Sequence, residues 1–452
     1  MRWTYELARI KIMYLNGNLR ISCGLILLQI YIFLMPLNKV PKINASGYIG
    51  VFFQKLEYAD FLLVIILLLL IKDIYVFIKN RKNRAVVITL LMIITSWIIS
   101  TLYSGTYTSI LDTLGLIMLI TLFLAVAVIA QNHENIFIIN RANFYTGVVI
   151  SFIGIVMFFV KNALNINIFD SYFAEQYAGN AAVFMDRLSV FTKAPEMLIT
   201  YINVGVVSGF ILWRFDWEKK KYLVLIILMV VVGFMAFSRS LSGLFITLAL
   251  VAAIYKKTNI NNLFAPAVFS FSVLFFFATL LFSVIHLSAV SDRSAKTPKL
   301  FDLLVDDRYY MNVAAIDMFT DNPLFGGGPG SYTFNSKKYL NSYIYTKQQY
   351  KQISSLASRQ LDPHNAYFGL LAENGIAGFI LFVIFFSNLL FLRFKKYSDR
   401  LSEHATLNYL FMRAGIVGLL VAGIFMDILT LRYLWVLTGM IYSVVNPSDL
   451  DV

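Results

Sequence analysis

Apolar stretches of roughly 17 to 28 residues recur from one end of the chain to the other, each long enough to cross a hydrocarbon layer of about 30 Å as a helix. They fall at about 19–37, 59–79, 85–104, 110–130, 144–164, 195–213, 222–238, 240–256, 262–287, 365–392, 407–429 and 431–446. The pattern predicts an all-α, polytopic membrane protein of about twelve transmembrane helices, because helices satisfy every backbone group inside lipid. Two longer polar stretches interrupt it, one at about 165–194 and a far longer one from Ser288 to His364. The organisation expected is nine helices within 1–287, a loop over 288–364 and three helices within 365–452. In such a chain the single long loop is where chemistry concentrates.

The loop has its own patterning. Arg308 heads a segment in which Tyr309, Val313, Ile316 and Phe319 recur at helical spacing, and Asn322-Pro323 ends it, which predicts an amphipathic surface helix. Gly326-Gly327-Gly328-Pro329-Gly330 follows as a tight turn in which glycines allow positive φ. It lacks the Gly-Lys-Ser/Thr ending of a nucleotide-binding loop and does not join strand to helix.

Composition excludes a soluble globule: 59% of residues are apolar and 14% charged, against about a quarter charged in soluble domains. The net charge of +13 is topological. With the N-terminus inside, nineteen Lys and Arg fall in cytoplasmic segments and eight in short exterior ones, as the positive-inside rule requires. Both termini are then cytoplasmic and the long loop extracytoplasmic. The charges form no stripe on a soluble domain, which argues against nucleic acid. The first apolar run has no clear cleavage site and reads as a retained helix. Cys23, the single cysteine, lies within it, so neither a disulfide framework nor a cysteine metal site is available.

Few side chains can carry chemistry. Of four histidines, His133 falls in a turn, His286 in an apolar run and His404 in a charged cytoplasmic stretch; only His364 stands at the exterior surface, between Pro363 and a helix-starting Asn365. It suits a neutral-pH base, or equally a residue that helps cap the helix. Arg239, in Ser238-Arg239-Ser240 between two apolar runs, either snorkels to headgroups or binds a diphosphate bidentately. Arg308 is a cation in the first turn of the surface helix or a solvated side chain. Asp306-Asp307 lack further oxygen ligands and read as a helix cap rather than a metal site. Lys72, Arg413 and Asp427 in apolar runs raise a transport reading, but Lys72 and Arg413 lie near the cytoplasmic side, and Asp427 is placed to pair with Arg432. No internal repeat supports a flippase or transporter.

Ser238-Arg239, then Arg308-Tyr309-Tyr310-Met311-Asn312, then Asn322-Pro323-Leu324-Phe325 with its glycines, then Pro363-His364-Asn365 with Leu371-Ala372-Glu373-Asn374-Gly375, stand in an order that resembles the bacterial O-antigen ligase and polymerase superfamily over roughly residues 225–390. The resemblance implies a GT-C-like, metal-independent glycosyltransferase in the bacterial inner membrane, with its site facing the periplasm and no cofactor. Its donor would be an undecaprenyl-diphosphate-linked oligosaccharide and its acceptor a glycan hydroxyl, with inversion at the anomeric centre. A chain-length regulator and a flippase are possible partners. Carried over, His364 is the general base, Arg239 and Arg308 hold the diphosphate, and Arg187 resembles a further family arginine. Glu373 and the glycines after it would fix helix packing. Polymerase and ligase, which share donor chemistry, both fit; the polymerase that extends O-antigen or capsule-like repeats leads. A reporter fused after Lys338 is expected to read as exterior, and a cytoplasmic signal would overturn the orientation.

Overall fold

The protein is described from a computed structural model, covering residues 19–37, 57–162, 164, 173–174, 187–192, 194–215, 219–236, 238–257, 307–340, 362–392, 394–395 and 401–445. Its elements are α1 (Leu19–Leu34), α2 (Tyr58–Lys79), α3 (Arg84–Ser104), α4 (Tyr107–Ile129), α5 (His133–Asn162), a two-residue antiparallel pair β1 (Phe173–Ala174) and β2 (Arg187–Leu188), α6 (Pro195–Phe215), α7 (Lys219–Met235), α8 (Leu241–Lys257), α9 (Asp307–Asp321), α10 (Tyr332–Leu340), α11 (Ala366–Ser387), α12 (Glu403–Ala422) and α13 (Arg432–Val445). Among the described residues seven helices are long and apolar enough to cross a membrane, and α1 and the Leu241–Tyr255 part of α8 are shorter apolar helices. Eleven of the twelve apolar runs fold as helices; the run at 262–287 lies outside the described residues, as does His286. His133, expected in a turn, opens α5.

The bundle is layered by burial. In α2, Ala59, Leu63, Ile66 and Leu70 are buried while Phe61, Ile65, Leu68 and Val76 are exposed, so one stripe faces protein and the other faces what must be lipid. At the centre, α6 is buried along almost its whole length, and α13 is buried from Tyr433 to Val445. Small residues let these helices approach closely, the usual device where lipid supplies no hydrophobic drive. A side chain at Gly243 would overlap Gly418 and Ala422, and Thr247 Oγ1 donates to Ala414 O at 3.3 Å, so the start of α8 lies against the end of α12.

The long-loop helices form a separate small core. Met311, Ala314, Ala315 and Met318 of α9 are buried with Tyr332, Leu340 and Ala372. The helix was expected, but its apolar face was misjudged: Ile316 is exposed, and Met311, Ala314, Ala315 and Met318 face inward with Ala372 of α11. Tyr332 Oη donates to Met311 O at 2.6 Å and ties α10 to α9.

Between α9 and α10 the glycine-rich turn enters a break in α11. Gly375 has φ 63° and ψ −169°, which removes the helical bonds from Ile376 and Ala377 to the carbonyls of Ala372 and Glu373. The turn replaces them: Gly327 N–H donates to Ala372 O and Gly328 N–H to Glu373 O, both at 2.9 Å, while Ile376 N–H donates to Pro323 O at 2.9 Å and Ala377 N–H to Leu324 O at 3.2 Å. Gly326 and Gly328 have φ of 69° and 99°, the conformation expected of this turn, and a side chain on either would strike Glu373 or Ser104.

Arg432 does not pair with Asp427. Its Nε and Nη2 reach Asp60 at 2.8 and 2.6 Å and its Nη1 reaches Glu57 at 2.7 Å, a bidentate clamp joining the starts of α2 and α13. Asp427 lies beyond α12 in the 423–431 turn and accepts instead from Leu429 N–H and Thr430 Oγ1, both at 2.9 Å. Replacing Arg432 by Met strands two buried carboxylates and should cost about 3–5 kcal/mol. Thermal unfolding of the purified full chain checks this: R432M should melt well below wild type, and R432M combined with Glu57→Gln and Asp60→Asn should recover most of the loss. Wild-type stability in R432M alone would show that the clamp carries no net weight.

Candidate functional site

A cavity of about 440 Å³ opens among the helix ends on the long-loop side of the bundle. The starts of α2 and α4, Trp97 of α3, Tyr31, Met197 and Tyr201, Gly330 and Thr333, the 427–432 turn, and residues of the 362–374 stretch other than His364 form its wall. Asp112, Asp362, Glu373 and Asp427 bring carboxylates to it. Glu373 Oε1 accepts from the N–H of Tyr332, the first residue of α10, at 3.2 Å, so an acidic group sits at that helix start. Asp427 is pushed up to about 6, first by burial and then by the negative charge of Asp362, against which its two hydrogen bonds work.

Beside this cavity lies the turn that enters α11. Asn365 caps the helix, its Oδ1 accepting from Tyr367 N–H at 3.0 Å and Phe368 N–H at 3.2 Å, as the sequence predicts. The side chain that caps the helix is therefore that of Asn365. His364 has φ 48°, one of two non-glycine positive values among the described residues, and its N–H donates to Asp362 Oδ1 at 3.1 Å. Left-handed backbone in a non-glycine residue costs of order 1–3 kcal/mol and persists where its surroundings fix it. Here the fixing contacts come from α12: Ala366 N–H donates to Gly423 O at 2.8 Å and Tyr367 Oη to Leu420 O at 2.5 Å.

Arg239 stands four residues before Gly243, which packs on the end of α12. It lies in the turn before α8, where its carbonyl accepts from Ser242 N–H at 3.1 Å and Ser242 Oγ at 2.8 Å. Gly243 is pressed on Gly418 and Ala422, and Ala366 N–H bonds to Gly423 O, so the helix starts that follow Arg239 and His364 both abut the end of α12. Arg308 is the second residue of α9, whose far end is docked on α11. Arg187 stands in β2, paired with Ala174. The side chains of Arg308 and Arg187 lie outside the described residues, as do Asp306 and most of the tyrosine-rich 339–350 stretch.

Sequence patterning missed the contribution of Trp97 and Asp112 to the cavity wall, since each stands alone within or at the start of an apolar run. The only signal was positional: a polar group a turn or two from the exterior end of a predicted span.

Fold and site together define a multi-pass helical membrane protein with a mostly apolar cavity that carries several carboxylates and a left-handed histidine turn at one end of its bundle. Residues 223–383, about a third of the chain, match the family model Wzy_C, O-Antigen ligase. The match supports the O-antigen ligase and polymerase superfamily and its ligase- or polymerase-type activity. It runs from α7 into α11 and includes Arg239, Arg308 and His364, but not Arg187. No curated protein matches the chain.

The raised pKa of Asp427 has a signed consequence. Between about pH 4 and pH 6 the unfolded chain has lost this proton and the folded one keeps it, so Asp427 lowers stability as pH rises through that window. Melting temperature measured against pH should fall less steeply there in Asp427→Asn than in wild type. Parallel curves would show that burial of this carboxyl is not felt.

Proposed function

We propose that the chain is an inverting, metal-independent glycosyltransferase of the GT-C kind, with twelve spans, both termini cytoplasmic and its site facing the periplasm of a bacterial inner membrane. It takes a glycan from undecaprenyl diphosphate and passes it to a sugar hydroxyl of a second lipid-linked unit, extending an O-antigen or capsule-like polymer. What supports the reading is that the helix starts following His364 and Arg239 pack on one helix end, beside a cavity and within the matched stretch.

In this reading the acceptor oxygen attacks the anomeric carbon from the face opposite the diphosphate. The bond from that carbon to the phosphate oxygen breaks, and its electron pair leaves with undecaprenyl diphosphate. His364 takes the hydroxyl proton as general base. Arg239 and Arg308 offset the charge that grows on the leaving group, where preorganised cations act most strongly. Arg187 is assigned a further contact with the diphosphate. The ordered, left-handed His364 supports a base held in place before substrate arrives.

Transfer of finished glycan to the lipid A core uses the same donor chemistry and differs only in acceptor. A deletion strain separates the two: one repeat unit on lipid A means polymerase, and long chains stranded on the carrier mean ligase. His364→Ala should lower transfer by about 100- to 10,000-fold, the range of a lost general base. Arg239→Ala and Arg308→Ala should each lose about 100-fold or more. Surface glycan on gels and membrane insertion of each variant check this; wild-type chains from normally inserted variants would overturn the assignment.

A further inference from the structure

The turn that carries His364 is held from both sides. Downstream, the bonds to α12 fix Ala366 and Tyr367. Upstream, Asp362 Oδ1 accepts from the N–H of His364 at 3.1 Å, which closes an Asx turn over Pro363. Pro363 has no N–H and a fixed φ, so the aspartate side chain reaches past it to the first amide that can donate. Asp362 is exposed and belongs to no helix or strand, and its carboxylate here replaces a bond that regular structure would supply. The result is a hook from one side chain onto the backbone of the histidine.

The hook is seated on α11. A Cβ at Gly369 would stand 2.8 Å from Pro363 Cγ, too close for two carbons, so the proline ring lies over the first turn of the helix in space that only glycine leaves. Glycine is disfavoured inside a helix relative to alanine. Gly369 N–H nevertheless donates to Asn365 O at 2.9 Å, an ordinary helical bond, so what this position uses is the missing side chain and not unusual backbone. The Asp362 bond, the seated Pro363 ring and the Asn365 cap follow one another along the chain, and between them His364 takes φ 48°, which a histidine seldom adopts. Relaxation to a negative φ would turn the bond from Cα to Cβ, and the imidazole with it, to another direction.

We propose that Asp362 and Gly369 are positioning residues for the transfer, Asp362 acting through Oδ1 on the amide of His364 and Gly369 by seating Pro363, so that the imidazole is aimed before substrate arrives. The assignment rests on the reading of His364 as general base. Asp362 serves as a hydrogen-bond acceptor, a part that an amide oxygen can also play, and its negative charge is not what is used. Alignment of this kind acts on the maximal rate and leaves donor binding, assigned to the arginines, as it is.

The test supplies the purified full chain, in detergent, with the lipid-linked glycan that accumulates in a strain deleted for it; membranes of that strain provide the acceptor, and rate is read against donor concentration. Asp362→Ala should lower the maximal rate about 5- to 150-fold, the equivalent of about 1–3 kcal/mol of left-handed strain at about 1.36 kcal/mol per tenfold, with the half-saturating donor concentration unchanged. Asp362→Asn, which keeps an oxygen acceptor, should recover most of that rate. Gly369→Ala should repeat the Asp362→Ala pattern without touching a polar group, and should melt close to wild type because alanine favours the helix. Asp362→Asn as slow as Asp362→Ala would mean that charge is felt and not the hook, and would overturn the proposal. So would a wild-type maximal rate in Asp362→Ala or Gly369→Ala, or a loss confined to donor affinity. Failure of the underlying reading looks different: His364→Ala at the wild-type rate sinks the general base, whereas a slow His364→Ala beside a normal Asp362→Ala sinks the hook alone.

Discussion

Everything at the loop-bearing end of this protein depends on four hydrogen bonds between the glycine-rich turn and the broken helix α11. The break at Gly375 removes two helical bonds and orphans four backbone groups in a span, where water cannot satisfy them and each costs several kcal/mol. The turn returns a partner to every one of them. Helix and loop are therefore a single folding unit: α11 cannot hold its break without residues 323–328, and those residues have no fixed shape without the break.

From that junction the rest of the site is positioned outward. The outer half of α11 carries Glu373 to the start of α10 and Ala372 into the α9 core. Its first turn is pinned to α12 through Ala366 and Tyr367, and α12 is in turn pressed on α8 at Gly243 and Gly418. Backbone contacts and small residues thus set the spacing of the Arg239 and His364 turns. The ionic cluster of Arg432 with Glu57 and Asp60 forms part of the cavity wall.

Much of this was legible in the chain because the bilayer imposes a simple code. Apolar runs gave the helices, and Asn365 and the Gly326–Gly330 run gave a cap and a turn with the expected backbone. What could not be read was partner choice over long sequence distances. Arg432 stands five residues from Asp427 but binds residues 372 and 375 positions away, because helix ends meet by packing and not by neighbourhood in sequence. The break in α11 was equally hidden: Gly375 sits within a long predicted span, and a lone glycine in a helix pattern signals weak propensity rather than a partner about 50 residues earlier. The inward face of α9 was misjudged because bulk was weighed above fit, and Ala314 and Ala315 win where backbones must approach.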